Sequence, residues 1–242
     1  MTLLEEIIES LPAEPVPVRK VVLGIHWTSV CSRFCGLAST LTNEKQPYVV
    51  LPEVGEYQTH SAQELARMAL NGNHLECSIG IAAINSLLDA AAMHSVELNA
   101  YNWLFEQAPG KDIAIVGHFP FVDKVRSLAQ NLWVLEKDPR PGDIPAEESA
   151  PYLGKAQIIA ITGSAVVNGS MEDVLAMCNP GAVIMVLGPS TPLSKVLFAH
   201  GVSILSGSQV VDEESTLLTL EQGGNFSQLQ GVKRITIFKE EN

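Results

Sequence analysis

The residues best suited to chemistry follow an apolar run in the middle of the chain. In "DIAIVGHFPFV", residues 112–122, a strand-like stretch meets Gly117, His118 and Pro120 before apolar positions resume at helical spacing. An imidazole at such a turn can ligate a metal or act as a general acid or base, and it can equally satisfy nearby backbone groups. His118 is therefore the candidate catalytic and metal-ligating residue, with Gly117 beside it. Phe119 could wall an apolar or planar ligand, whereas Phe121 continues a helical face and reads as core. Glu136 ends the next apolar run, "NLWVLEKD". An acidic residue there can accept hydrogen bonds from ribose hydroxyls in nucleotide-binding sheets.

Three further apolar runs end in glycine and hydroxyl residues. "ITGSAVVNGS" supplies Thr162, Gly163, Ser164, Asn168 and Gly169, "LGPSTPL" supplies Gly188, Pro189, Ser190 and Thr191, and "SGSQVVD" spans residues 206–212. Such residues can turn backbone N–H groups toward an anion. They are also ordinary capping and turn residues, and only their gathering on one sheet edge favours a ligand cleft. No GxGxxG follows the first strand of this half, and neither GxxxxGK[ST] nor GxSxG occurs. A conventional dinucleotide site, a P-loop and a nucleophile elbow are thereby disfavoured.

Cysteine chemistry is sparse. Cys31 and Cys35 are four apart, with no second pair to complete a tetrahedral site, and read as buried structural residues. Cys77 lies with His74, Glu76 and Asn85 around a helix start. Either it is a small buried residue, or Glu76 and Cys77 approach a ligand together with His118. That mixed set would suit a borderline or soft transition metal.

The elements that must position these groups fall into two styles. Over residues 110–242, apolar strands alternate with amphipathic helices, predicting a Rossmann-like α/β domain with a parallel sheet flanked by helices. Its strands are read at "DIAIVGHF", "NLWVLEKD", "QIIAITG", "AVIMVLG", "VSILSGS" and "RITIFKE". Ser170 with Asp173, Thr191 before Pro192, and Asp212 are the expected helix starts. Residues 1–109 instead give a short helix, a strand pair over "VRKVVLGIHWTSV" and "SRFCGLAST", a third strand at "PYVVLPE", then helices, the first capped by Ser61 and Glu64. This predicts an α+β domain, with His26 in a strand. Pro109-Gly110 marks the expected boundary.

Composition bounds the partners. Of 242 residues 46% are apolar and 17% charged, enough for a sizeable core and against disorder. The net charge of −12 disfavours nucleic acid and anionic membranes. No apolar run reaches the ~20 residues of a membrane helix. "MTLLEEIIES" lacks the basic segment of a signal peptide, so a cytoplasmic location is expected.

Taken in order, "GIHWTSV", "GLAST", "SIGIAAINSLL", "VGHFPF", "ITGSAVVNGSMEDVL", "GPSTPLSKVLF" and "GVSILSGSQVVD" resemble the DUF364 family, described by the words "putative heavy-metal chelation". The resemblance covers nearly the whole chain. It implies an enolase N-terminal-like first domain (the DUF4213 region), a Rossmann-like second domain, and a cleft between them as the place of chelation. The enolase barrel is missing, so enolase activity does not follow. The expected function is metal chelation or binding of a small anionic ligand in that cleft, with a transition metal as the candidate cofactor. The alternative is a nucleotide- or S-adenosylmethionine-dependent group transferase. A homo-oligomer is compatible with such a sheet, as is a non-catalytic regulatory module.

Overall fold

The computed structural model describes residues 1–42 and 50–240. The chain opens with helix α1 (Leu3–Glu9) and a three-stranded antiparallel sheet, β1 (Lys20–Leu23), β2 (Trp27–Cys31) and β3 (Cys35–Ser39). Helices α2 (Ala62–Arg67), α3 (His74–Leu87) and α4 (Ala100–Gln107) follow. The expected strand pair is thus three strands. "VRKVVLGIHWTSV" is itself a hairpin, because Gly24, Ile25 and His26 form its turn. His26 is exposed there rather than in a strand. Of the strand expected over 47–53, residues 47–49 lie outside the described residues and 50–53 contain no strand. Ser61 caps α2 through a reciprocal box with Glu64, as its spacing predicts.

The rest of the chain alternates: β4 (Asp112–Val116), α5 (Val122–Leu128), β5 (Asn131–Glu136), β6 (Ile144–Pro145), α6 (Ala150–Leu153), β7 (Ile158–Thr162), α7 (Ser164–Val167), α8 (Met171–Met177), β8 (Val183–Leu187), α9 (Lys195–Ala199), β9 (Ile204–Val210), α10 (Glu213–Glu221) and β10 (Val232–Phe238). These strands form a seven-stranded sheet in the order β10-β9-β8-β7-β4-β5-β6. All neighbours are parallel except β10, which runs antiparallel to β9. Residues 222–231 return the chain to the end where β9 stopped, so Val232 pairs with Val210. The Gly231 carbonyl, accepting from the amides of Val211 and Asp212, fastens that return.

Buried residues cover both faces of this sheet. On one face Ile113, Ile115, Val134 and Met185 pack with Leu104 of α4 and Val125 of α5. On the other, Ala114, Leu135, Ile159 and Val186 pack with Leu153, Val166 and Leu197 of the intervening helices, and the same cluster runs on into α1, α2 and α3. The first part of the chain therefore lies against one face of the large sheet. His200 Nε2 contacts Glu6 Oε2 at 2.9 Å on that side.

Two expected helix starts are built differently. The Ser170 hydroxyl donates to Asn168 Oδ1 instead of capping α8, because α7 turns directly into α8. Ser194 rather than Thr191 caps α9. Asp212 caps α10 as expected, accepting from the Ser215 amide at 3.1 Å.

Candidate functional site

The strand order changes direction between β4 and β7: the chain moves from β4 outward to β5 and β6, then crosses back to β7 and on to β8, β9 and β10. In open α/β sheets the crevice beyond the strand ends at such a switch point is where ligands bind. His118 follows β4, and Thr162 is the last residue of β7. Gly117 holds the turn at φ +97°, and a Cβ there would lie 2.9 Å from Thr162 Cγ2. Only glycine satisfies both demands, and its amide ties the turn to the Leu135 carbonyl at 3.0 Å.

Two cavities, of about 520 and 570 Å³, flank this point and share His118, Thr162 and Ser164. Both volumes are ample for a small-molecule ligand. The first carries the charged and polar side chains of Glu136, Lys137, Asp138, Asn168, Ser170 and Asp173, acidic on balance, among apolar neighbours. The second reaches toward the small sheet and carries Trp27, Tyr101, Phe119 and Phe226 with Arg234.

His118 is the junction. Its Nδ1 lies 3.6 Å from Glu136 Oε1 and 3.6 Å from Asp143 Oδ2. The Asp143 side chain is only 5% exposed. It is fixed by accepting from the Arg140 amide at 2.8 Å, while its own amide donates to the Arg140 carbonyl. Pairing of Glu136 with Pro145 across β5 and β6 brings that turn alongside His118. The sequence reading found His118 and Glu136 but not Asp143. The one signal for Asp143 is "RPGDIP", a turn dipeptide ahead of a very short strand.

On the aromatic side Phe119 stacks on Phe121, with centroids 4.9 Å apart, and Phe121 in turn packs on Tyr101 at 4.1 Å. Phe119 thus faces the cavity while Phe121 is core. Burial raises the Tyr101 phenol above its usual range. Arg234 lies over the Phe226 ring, 5.1 Å from its centroid, and Phe226 meets Trp27 at 5.6 Å. The Trp27 indole N–H is buried here with no hydrogen-bond partner among the described residues. A buried donor left unpaired costs about 1–3 kcal/mol.

A knot of three serines closes the floor between the two cavities. Ser39 Oγ is 2.9 Å from Ser164 Oγ and 2.9 Å from Ser190 Oγ, and the Ser39 amide donates to Ser190 Oγ at 2.8 Å. These bonds join β3, α7 and the loop after β8. Gly163 makes the junction possible, since a Cβ there would sit 2.6 Å from the Thr191 amide nitrogen. Gly188 and Pro189 line the aromatic cavity beside Ser190.

The backbone amides of these loops are largely engaged within the fold. Gly163 donates to Leu187 O, Gly169 to Val166 O, Gly188 to Ser206 O, Thr191 to Gly188 O and Ser164 to Thr162 Oγ1. What faces a ligand is chiefly side chain: imidazole, carboxylates, hydroxyls and rings. Glu76 and Cys77 stand apart from this site. Glu76 accepts from Asn71 Nδ2 and the Cys77 thiol donates to the Ala69 carbonyl. Neither residue lines the two cavities, and they do not gather with His118. Burial, first of all, raises the Cys77 thiol above its usual range.

The family model for DUF364, described as "Putative heavy-metal chelation", matches residues 99–239. The chain belongs to the DUF364 family. A second model with the same description, DUF4213, matches residues 4–88. Among solved structures, a DUF364 protein of unknown function from Desulfitobacterium hafniense DCB-2 is 26% identical, with a TM-score of 0.85 over 98% of each chain. Another, from Pyrococcus horikoshii, is 21% identical, with a TM-score of 0.78 over 98% of each chain, and shows the same fold. No curated protein matches the chain. Among the described residues, no helix is long and apolar enough to cross a membrane.

Proposed function

We propose that this DUF364 protein binds a small metal-bearing ligand in the cleft at the β4–β7 switch point, with His118 as a donor to the metal. The observation that carries the reading is the placement of His118, between two carboxylates and at the meeting of an acidic and an aromatic cavity. His118 supplies an imidazole nitrogen, with a carboxylate oxygen of Glu136 and of Asp143 each 3.6 Å from it. The three do not close into one donor set among the described residues, so a cation held by His118 would take its other donors from the chelating ligand. The aromatic arm suits the organic part of a chelate. Phe119 and Trp27 offer ring faces, and Arg234 offers a cation for an anionic substituent.

The family description supports metal handling. The engaged loop amides weigh against a pyrophosphate cradle, and with it the nucleotide-dependent alternative. Thr162, Ser164 and Ser190 then act as hydroxyl contacts on the cleft floor. Calorimetric titration with Ni²⁺ and Zn²⁺ tests the reading. His118→Ala should lower affinity at the cleft at least about 10-fold, the scale on which even outer-shell partners act. An unchanged isotherm would count against His118 as a donor.

A further inference from the structure

We infer that Cys31, Cys35 and Glu213 form a second site, separate from the His118 cleft, for a soft or borderline divalent cation. The two cysteines face each other across the β2–β3 hairpin as register partners. Spacing alone reads them as a structural pair. The fold adds a third donor from far along the chain: Glu213, the first residue of α10. One ligand atom from each of the three lies within 4.8 Å of the other two. Donors around a tetrahedral zinc-sized ion stand roughly 3.5–3.8 Å apart, given metal–sulfur bonds near 2.3 Å. Small side-chain rotations would close the set.

The surroundings fit a cation held by thiolates. All four cysteines of the chain are free. Ser29, itself fully buried, places its hydroxyl 3.1 Å from Cys35 Sγ and 3.8 Å from Cys31 Sγ, positioned to donate to a ligating sulfur. Arg19 holds Glu213 through Nη1, at 2.8 and 2.9 Å from the two carboxylate oxygens. Three anionic donors, a divalent ion and that guanidinium sum to no net charge, so the buried charge is balanced when the site is loaded. The thiols are already polarised against each other. Cys35 is shifted down chiefly because Cys31 hydrogen-bonds to it, and Cys31 is shifted up by the same contact and by burial.

A second observation points the same way. Cys35 lines a cavity of about 40 Å³. Thr191, 2% exposed, and Ser208 and Asn85 line it too, and Thr191 Oγ1, Ser208 Oγ and Asn85 Oδ1 have no hydrogen-bond partner among the described residues. That space is large enough for a water or a small ion beside Cys35. Ser190 and Thr191 thus face different chambers, the first the cleft and the second this cavity.

The test is Cd²⁺ titration of the full chain, kept reduced by a phosphine, read by thiolate-to-cadmium absorption in the near ultraviolet. That band reports sulfur–metal bonds and is blind to an ion held by His118. The expected result is saturation at one band-forming Cd²⁺ per chain, with affinity rising as pH rises, because thiol protons must leave. Cys31→Ser and Cys35→Ser should abolish the band and Cys178→Ser should keep it. Glu213→Gln, at a partly exposed side chain, should weaken binding about tenfold or more. No band in the folded wild type at saturating Cd²⁺ overturns the proposal without recourse to any variant. A full band in folded Cys35→Ser overturns it equally.

Discussion

Replacing Gly163 by alanine should destabilise the protein, although the usual effect of that change at a helical backbone angle has the opposite sign. Gly163 has φ −58° and ψ −22°, which alanine adopts freely. Restricting the unfolded chain would by itself stabilise by about 0.4–1 kcal/mol. The added methyl, however, would lie 2.6 Å from the Thr191 amide nitrogen, 2.7 Å from Thr191 Oγ1 and 3.0 Å from the Ser190 carbonyl carbon. Two of these are main-chain atoms, and Ser190 and Thr191 are 1% and 2% exposed, so the loop has nowhere to retreat. Overpacking of this kind costs about 1–3 kcal/mol, leaving a net loss of up to about 2.6 kcal/mol. At roughly 2–4 °C per kcal/mol for a chain of this size, Tm should fall by up to about 10 °C. Urea unfolding followed by tryptophan fluorescence should show a lower midpoint with an unchanged slope. A Gly163→Ala protein with a midpoint at or above that of wild type would refute the claim that close approach locks this floor of the cleft.

Other consequences follow from single contacts. Ser39→Ala removes the hydroxyl bonds to Ser164 and Ser190; it should cost about 1–2 kcal/mol in urea unfolding and weaken ligand binding in the cleft. Asp143→Asn removes one carboxylate facing His118 and should lower metal affinity there about 10- to 100-fold by calorimetry, with little change in unfolding midpoint. The Asp212 carboxylate is held below its usual range by hydrogen bonds from the hydroxyl and amide of Ser215. A depressed folded value means that its stabilisation is present above the unfolded value of about 3.9 and is lost as pH falls through the folded one. Asp212→Asn keeps a capping acceptor that does not titrate, so the wild type's stability advantage should shrink as pH falls from about 5 through the unfolded value of about 3.9 and below. Burial pushes the Cys178 thiol up to about 11. Its alkylation in the folded protein, followed by peptide mass mapping, should keep accelerating beyond about pH 9, where unfolded thiols level off.

What the sequence could and could not show depends on how local each cause is. The parallel strands were legible because "DIAIV", "IIAIT" and "VIMVL" are continuous apolar runs, as a sheet covered on both faces requires. The Ser61–Glu64 box and the Asp212 cap were legible because their partners lie within three residues. Ser170 and Thr191 carry the same local signal, yet tertiary demands redirect them: Ser170 bonds Asn168, and Thr191 is sealed against Gly163. The β10 direction is decided by a loop return, which leaves no periodic trace. The candidate site was half visible. His118 and Glu136 stand at the ends of recognisable strands, whereas Asp143 arrives through a two-residue strand too short for any pattern. Trp27 and Arg234 come from opposite ends of the chain. Glu76 and Cys77 looked promising beside a helix start, but the turn after α2 engages that corner through Ala69 and Asn71. Glu213 lies beside Cys31 and Cys35 only once α10 has packed against the small sheet.

The most direct measurement is metal content by mass spectrometry of untagged protein purified without chelator, comparing the Cys31→Ser/Cys35→Ser variant with the same variant carrying His118→Ala. Removing the thiols first leaves the cleft as the site under test. Binding at His118 predicts transition metal near one equivalent with His118 present and a small fraction of that without it. Equal metal in both proteins, or none in either after incubation with Zn²⁺ and Ni²⁺, would contradict metal binding at His118.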